Sequence, residues 1–247
     1  MLQPIIKKSE ALSPAEIASL NKIIGGIHSQ NPENHIEENH IQKTNPVFYL
    51  FKKEDEILAF QAFTIFKKKT PFHRKEIPII NVNISYKNPK ADKLIKDYAK
   101  FSNFHFIKQQ LGPFWFLKTF VVSFVTINPK LIHRISRIFG SHYPDYRIST
   151  PKEVHHFAKN FIAKDLKIAA NHVNNNLVIT EESYEDSPIT EQWPFLYESK
   201  NPLQNEFFIK EGIIKQANNQ YFLTNKAVLF LGVYSFWGLV KSVFRKK

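Results

Sequence analysis

The sequence has no cysteine, which excludes disulfides, thiolate metal sites and a cysteine nucleophile in one step. Glycine is scarce, with seven among 247 residues, and there is a single methionine. No Gly-x-Ser-x-Gly elbow, P-loop or dinucleotide fingerprint occurs, so serine hydrolase, NTPase and dinucleotide chemistries have no motif to stand on. Zinc-finger, RRM and helix-turn-helix patterns are also missing, which predicts no specific nucleic-acid partner. The first residues, Met1 to Leu12, hold no apolar run of signal-peptide length, so a cytoplasmic location is expected. There is no internal repeat and no low-complexity linker.

What is present describes a globular chain. Apolar residues make up 43% and aromatics 14%, with 23 Phe. The formal net charge is +12, which suits anionic partners as well as plain solubility, and the basic residues run along the whole chain. Ser13-Pro14-Ala15-Glu16 is a capping box with Pro at the first helical position, and Ile17, Leu20, Ile23, Ile24 and Ile27 follow at helical spacing. A second short helix is expected between Asn31 and Lys43. Val47–Leu50 and Ile57–Phe66 read as an antiparallel hairpin, and Ile77–Tyr86 as a third strand after a basic loop, Lys67 to Lys75. An amphipathic helix is predicted from Pro89 to about Gln110, with Leu94, Ile95, Tyr98, Phe101 and Phe106 on its apolar face.

Leu117–Ile127 is almost continuously apolar, the pattern of a strand covered on both faces. Asn128-Pro129 opens a helix that runs to a C-cap at Gly140. Further on, Pro151 to about Ala170 reads as helix and Asn176–Thr180 as strand, Asp186–Pro202 as loop, and Phe207–Ile214 and Tyr221–Leu223 as strands. The fold class expected is mixed α/β, a strongly twisted, mainly antiparallel sheet flanked by helices. A core over 1–145 and an extension over 146–247 that completes the sheet are expected. Ala227–Val240 is uncharged but shorter than the about 20 apolar residues a spanning helix needs, so it reads as an apolar core helix. The alternative is an interfacial segment, with Tyr234, Trp237 and the basic tail Arg245-Lys246-Lys247 in weak contact with an anionic membrane.

Two strands run straight into Asn-Pro helix starts, at Asn88-Pro89 and Asn128-Pro129. At such a start free N–H groups and the positive helix end face outward, a seat for phosphate as well as an ordinary cap. Lys87, Lys90 and Lys93 surround the first. The order helix, hairpin, strand, long helix, buried strand, helix over residues 1–145 resembles the GNAT N-acetyltransferase family. Asn83–Lys93 occupies the place where that family holds acyl-CoA, Asn128 resembles the Asn after the next strand, and Phe139-Gly140 resembles the Gly-aromatic ending of the following helix. The chain departs from the family pattern in having no glycine between Asp92 and Lys96, and in Ile135 where a Tyr often serves as general acid.

The resemblance implies acetyl-CoA or another acyl-CoA as donor and a small-molecule or protein amine as acceptor, with no metal. It implies a cleft between the strands ending at Tyr86 and Ile127. Asn83, Ser85, Tyr86, Lys87, Asn88, Lys90, Lys93 and Asn128 would bind the cofactor, and His133 and Tyr143 would handle protons, with His142 close by. A non-catalytic binding or regulatory protein of the same fold stays open, as does a peripheral membrane protein held by residues 227–247. The other histidines carry no metal-site spacing: His35 and His40 are not at i, i+4, and His155 and His156 would diverge on a helix.

Overall fold

A computed structural model describes residues 2–25, 34–88, 91, 95, 97–180, 199–217, 220–238 and 240. The chain divides into two compact units, Met1–Phe66 with Ile80–Trp115 and Lys67–Ile79 with Phe116–Lys247. The class is mixed α/β, with a mainly antiparallel sheet flanked by helices.

In the first unit the strand order is β1 (Ile5–Lys8), β2 (Val47–Lys53), β3 (Glu56–Thr70) and β4 (His73–Lys87), the last two contributing the ends nearer Glu56 and Lys87. Its helices are α1 (Pro14–Gly25), α2 (Gln42–Thr44) and α3 (Tyr98–Leu111). Alternation along β2 and β3 separates two apolar faces. Phe48, Leu50, Phe60, Ala62 and Ile84 pack with Leu20, Ile23 and Ile24 of α1. Tyr49, Phe51 and Phe63 face α3 instead, where the Phe63 ring stacks on Phe106 at 4.5 Å and Phe51 meets Tyr98 edge-on at 5.8 Å. The register shifts after Phe51, which pairs with Ala59 while Lys52 pairs with Ile57. Leu58 is therefore an extra residue, and this bulge lets Ile57 and Phe60 share the α1 face.

The α1 start is a closed capping box. Glu16 N–H donates to Ser13 Oγ (3.2 Å), and Ser13 N–H donates to Glu16 Oε2 (2.9 Å). The same carboxylate pairs with Lys7 of β1 at 2.9 Å and Lys52 of β2 at 2.8 Å. Burial pushes the Glu16 pKa up, but the hydrogen bonds from Lys52, Ser13 N–H and Lys7 outweigh it and hold the carboxyl at about 2.

In the second unit the order is β4, β5 (Phe120–Thr126), β10 (Lys226–Tyr234) and β6 (Ser141–Tyr143), with β7 (Val178–Thr180) also on β10. Helices α4 (Pro129–Ser136), α5 (Lys152–Phe157), α6 (Ala163–Asp165) and α7 (Pro202–Lys210) and a hairpin of β8 (Ile214–Ala217) and β9 (Gln220–Leu223) complete it. The β5–β10 register sets Phe124 opposite Phe230 and Phe120 opposite Tyr234, and both ring pairs stack at 4.6 Å. Such cross-strand aromatic pairs each add a few tenths to about 1 kcal/mol.

Five expectations need correction. Ala227–Tyr234 is not a helix: it lies in buried strand β10, whose two covered faces leave no alternation to betray a strand. Helix α3 begins at Tyr98, not Pro89. The basic loop Lys67–Lys75 is mostly strand, because β3 and β4 extend around a turn at Pro71-Phe72. Phe207–Ile214 is largely helix α7, whose start is capped by Asn201 Oδ1 accepting from Leu203 N–H, and which ends before Gly212 at φ 68°. Gly140 does not cap α4, which ends at Ser136. Its N–H bonds Val233 O (3.1 Å), and a Cβ there would lie 2.9 Å from Gly238 Cα.

The Glu16 node carries a pH signature. Because folding depresses this pKa, its contribution is complete above the ordinary value of 4.5 and is lost as pH falls through about 2. Glu16→Gln is expected to cost about 2 kcal/mol in urea unfolding at pH 7. The difference from the parent should shrink between pH 4.5 and 2; a gap constant with pH contradicts the assignment.

Candidate functional site

The residues expected at the site fall in both units, Asn83 to Lys93 in the first and Asn128, His133 and Tyr143 in the second. At the end of β4, Asn83 Oδ1 accepts from Thr64 Oγ1 (3.0 Å), and its Nδ2 donates to Thr44 Oγ1 (2.5 Å). Asn83 thereby ties β4 to β3 and to the end of α2. Ser85 is exposed, with Oγ 3.0 Å from the Tyr98 hydroxyl at the first residue of α3. Burial raises the Tyr98 pKa, and the Ser85 hydrogen bond opposes this. Tyr86 packs on the α1-side core, 6.1 Å from the Phe60 ring. Lys87 is half-buried.

Asn88 follows β4 and is held to β3 and to Ala91. Its N–H donates to the Leu58 carbonyl at the bulge (2.8 Å), its Nδ2 to Glu56 Oε1 (3.4 Å), and its carbonyl accepts from Ala91 N–H (3.0 Å). Ala91 and Ile95 are buried, which anchors the connection by apolar contact. Asp97 then precedes α3 without a side-chain cap. Lys90 and Lys93, with Pro89, Asp92, Leu94 and Lys96, lie outside the described residues.

Asn128 is the working cap. Its Oδ1 accepts from Leu131 N–H (3.2 Å), Pro129 fills the first helical position, and its own N–H donates to Thr126 Oγ1 (3.0 Å). His133, one turn on, has Nε2 2.8 Å from Arg137 Nη2. A guanidinium can only donate, so Nε2 accepts and the imidazole proton sits on Nδ1. Burial first, then Arg137 and Lys200, lower the His133 pKa. Tyr143 lies in β6 opposite Leu231, its ring stacked on Phe72 at 5.9 Å. Burial and Asp145 raise its pKa, with Ser141 opposing, so the hydroxyl keeps its proton. Its neighbour His142 stacks on Phe230 at 6.0 Å and has a pKa lowered mainly by burial. His133 and Tyr143 thus sit on different elements with different partners.

Two polar clusters escaped the sequence reading. The hydroxyl of fully buried Tyr49 lies 3.0 Å from His105 Nδ1 and donates to Gln109 Oε1 at 3.2 Å, while burial pushes its pKa to about 12. The i, i+4 spacing of His105 and Gln109 on α3 was the available signal. His35 and His40 meet with ring centroids 5.3 Å apart, because Glu37–Ile41 is a π-helical turn whose i→i+5 pattern brings a five-residue spacing onto one side. Burial, His35 and Lys43 push His40 down to about 3, and burial lowers His35. Among the described residues, no three His, Asp or Glu side chains form a metal-holding group, and no helix is long and apolar enough to cross a membrane.

No protein-family model matches the chain, and no curated protein matches it. Among solved structures, the chain is similar to a probable N-acyltransferase from Enterococcus faecalis V583 at 9% identity and TM-score 0.39. That match covers 55% of this chain but only 33% of the Enterococcus chain, so this chain spans about a third of that protein's length. An acyl-CoA N-acyltransferase from Pseudomonas aeruginosa is similar at 8% identity and TM-score 0.39, over 62% of this chain and 94% of that one. An aminoglycoside 6'-N-acetyltransferase complexed with coenzyme A is similar at 9% identity and TM-score 0.37, over 92% and 94% of the two chains.

The capping role of Asn128 can be measured. Asn128→Ala is expected to cost about 1 kcal/mol in denaturant unfolding, with Asn128→Asp restoring most of it. Equal losses for Ala and Asp contradict the capping role.

Proposed function

We propose that the chain is an acyl-CoA-dependent N-acyltransferase of GNAT-like fold, acting on the amine of a small molecule or a protein. The observation that supports this best is the succession β4, α3, β5, in which a strand passes through a helix to the strand beside it in the hydrogen-bonded order. It follows an antiparallel run of three strands, which is the element order the resemblance requires.

Asn83, Ser85, Tyr86, Lys87 and Asn88 are assigned to the donor, and Lys87, Lys90 and Lys93 to its diphosphate as charge-assisted partners. Asn128 is assigned to the same cofactor through the start of α4. In the reaction the acceptor nitrogen attacks the thioester carbonyl, a C–N bond forms and the C–S bond breaks. The departing thiolate takes the Tyr143 hydroxyl proton, which the raised pKa keeps on the phenol until the C–S bond breaks. The proton lost by the amine goes to His133, whose lowered pKa keeps it neutral at pH 7 once Arg137 releases Nε2.

A non-catalytic binding protein of the same fold is the second reading. It is favoured by the absence of glycine between Asp92 and Lys96. Without such a glycine, backbone cannot approach a diphosphate closely.

Calorimetric titration with acetyl-CoA and longer acyl-CoAs, together with free-thiol release, separates the two readings. The enzyme reading expects binding that Lys87→Glu weakens about tenfold, and thiol release that Tyr143→Phe slows about a hundredfold with KM unchanged. No binding at concentrations on the order of millimolar sinks the proposal; binding without turnover supports the second reading.

A further inference from the structure

The run Lys67-Lys68-Lys69-Thr70-Pro71-Phe72-His73-Arg74-Lys75 holds five bases, and no Asp or Glu occurs between Glu56 and Glu76. Strands β3 and β4 are neighbours in the sheet, and their turn at Pro71-Phe72 folds this run back on itself. Cations spread along the sequence are thereby gathered at one hairpin tip, which lies within the second unit. The tip is fixed on its inner side. Phe72 stacks on Tyr143 of β6 at 5.9 Å and meets Phe157 of α5 edge-on at 6.0 Å. Lys68 Nζ lies 3.1 Å from the Asp165 carboxylate of α6. Within the turn, Phe72 N–H donates to Thr70 Oγ1 (3.3 Å) and Lys75 N–H donates to His73 Nδ1 (3.2 Å).

The outer side presents charge. Lys67 and Lys69 are exposed, while Phe66, Lys68 and Thr70 on the other face of β3 are half-buried. Side chains on one face of a strand stand about 7 Å apart, so Lys67 and Lys69 make a short, regular row. Arg74 and Lys75 are exposed on the adjoining strand. Among the described residues, none of these four side chains makes an ion pair. The one acid at the margin is Glu76. No large apolar side chain is exposed between Ile57 and Ile80. These features together select the partner. Protein interfaces are built on aromatic and aliphatic anchors and are depleted in lysine, and this tip offers the reverse. A bilayer surface would be held by inserted rings, whereas Phe72 is turned inward. A soluble polymer of regularly spaced negative charge fits what is left.

We propose that this hairpin tip binds the phosphodiester backbone of a nucleic acid without reading its bases. Lys67, Lys69, Arg74 and Lys75 each neutralise a phosphate, and release of the counterions condensed there supplies the affinity. Contacts of that kind position a chain and carry no sequence information. That agrees with the absence of zinc-finger, RRM and helix-turn-helix patterns. The packing of Phe72 and the Lys68–Asp165 pair hold the backbone of the tip, so less freedom is lost on binding than from a disordered basic tail. The inference is independent of the acyltransferase reading, because none of the four residues is assigned to the donor or to proton transfer.

Fluorescence anisotropy of the full chain with labelled oligonucleotides of about 20 nucleotides, single-stranded and duplex, tests it. A Kd on the order of 10 μM is expected at about 0.1 M salt, with log K on the duplex falling by about 3 to 4 per decade of salt. Lys67→Gln, Lys69→Gln, Arg74→Gln and Lys75→Gln combined should weaken binding about tenfold or more and remove most of that slope. Lys68 is left in place, so its ion pair still anchors the tip. A control with Lys8→Gln, Lys22→Gln, Lys100→Gln and Lys108→Gln removes the same charge from exposed positions of the first unit, and it should bind as the parent does. No binding at concentrations on the order of 100 μM overturns the proposal. Equal losses in the two variants, the mark of attraction by net charge alone, overturn it as well. So does tighter binding of polyglutamate or of phosphatidylserine vesicles than of either oligonucleotide.

Discussion

The second unit depends on satisfying both edges of one buried strand. β10 is buried from Ala227 to Tyr234, so each backbone N–H and C=O along it needs a partner in place of water. β5 supplies one edge over seven consecutive pairs, Val228↔Thr126 to Tyr234↔Phe120. The other edge is shared by two short strands, β7 opposite Lys226–Val228 and β6 opposite Leu231–Val233. At the step between them, Leu229 N–H donates at 2.8 Å to the carbonyl of Leu177, a residue at φ 58°. A left-handed backbone is unfavourable for leucine, and this buried amide gives it a use. Gly232 belongs to the same requirement, because a Cβ there would lie 2.5 Å from the Phe139 ring that crosses it.

Local chemistry was legible where it needs only neighbours in sequence. The capping box at Ser13–Glu16 and the Asn128-Pro129 start depend on side chains within four residues of one another, the β2–β3 hairpin on two runs adjacent in sequence, and the structure forms each of them. What could not be read depends on partners far away. Asn88, at the end of β4, is bound by Leu58 and Glu56 of β3, partners distant in sequence. Asn201-Pro202 was readable by the same rule as Asn128-Pro129, but the residues up to Pro202 read as loop and Phe207–Ile214 as strand. Only Gln204 and Phe208 are buried there, four residues apart, so the period is helical after all.

The candidate site follows the same division. Asn128 and its cap were placed correctly as local structure, and Ser85 and Tyr98 meet because β4 and α3 are neighbours in the first unit. The expected phosphate seat lies largely outside the described residues, which include Lys87 of its three lysines. A lysine is a strongly hydrated point charge on a flexible stem, whereas a helix start presents fixed donors. Recognition of that kind is less selective for the shape of a diphosphate and more easily screened by salt.

Burial of β10 also explains why apolar residues are left in solvent at one end of its pair with β5. A strand covered on both faces and both edges must enter and leave where its partners stop, and there the chain cannot keep every apolar side chain inside. Gly140 and Gly238 tighten this end by removing two side chains from a backbone-to-backbone contact, so the turn carrying Phe236 and Trp237 is held in place.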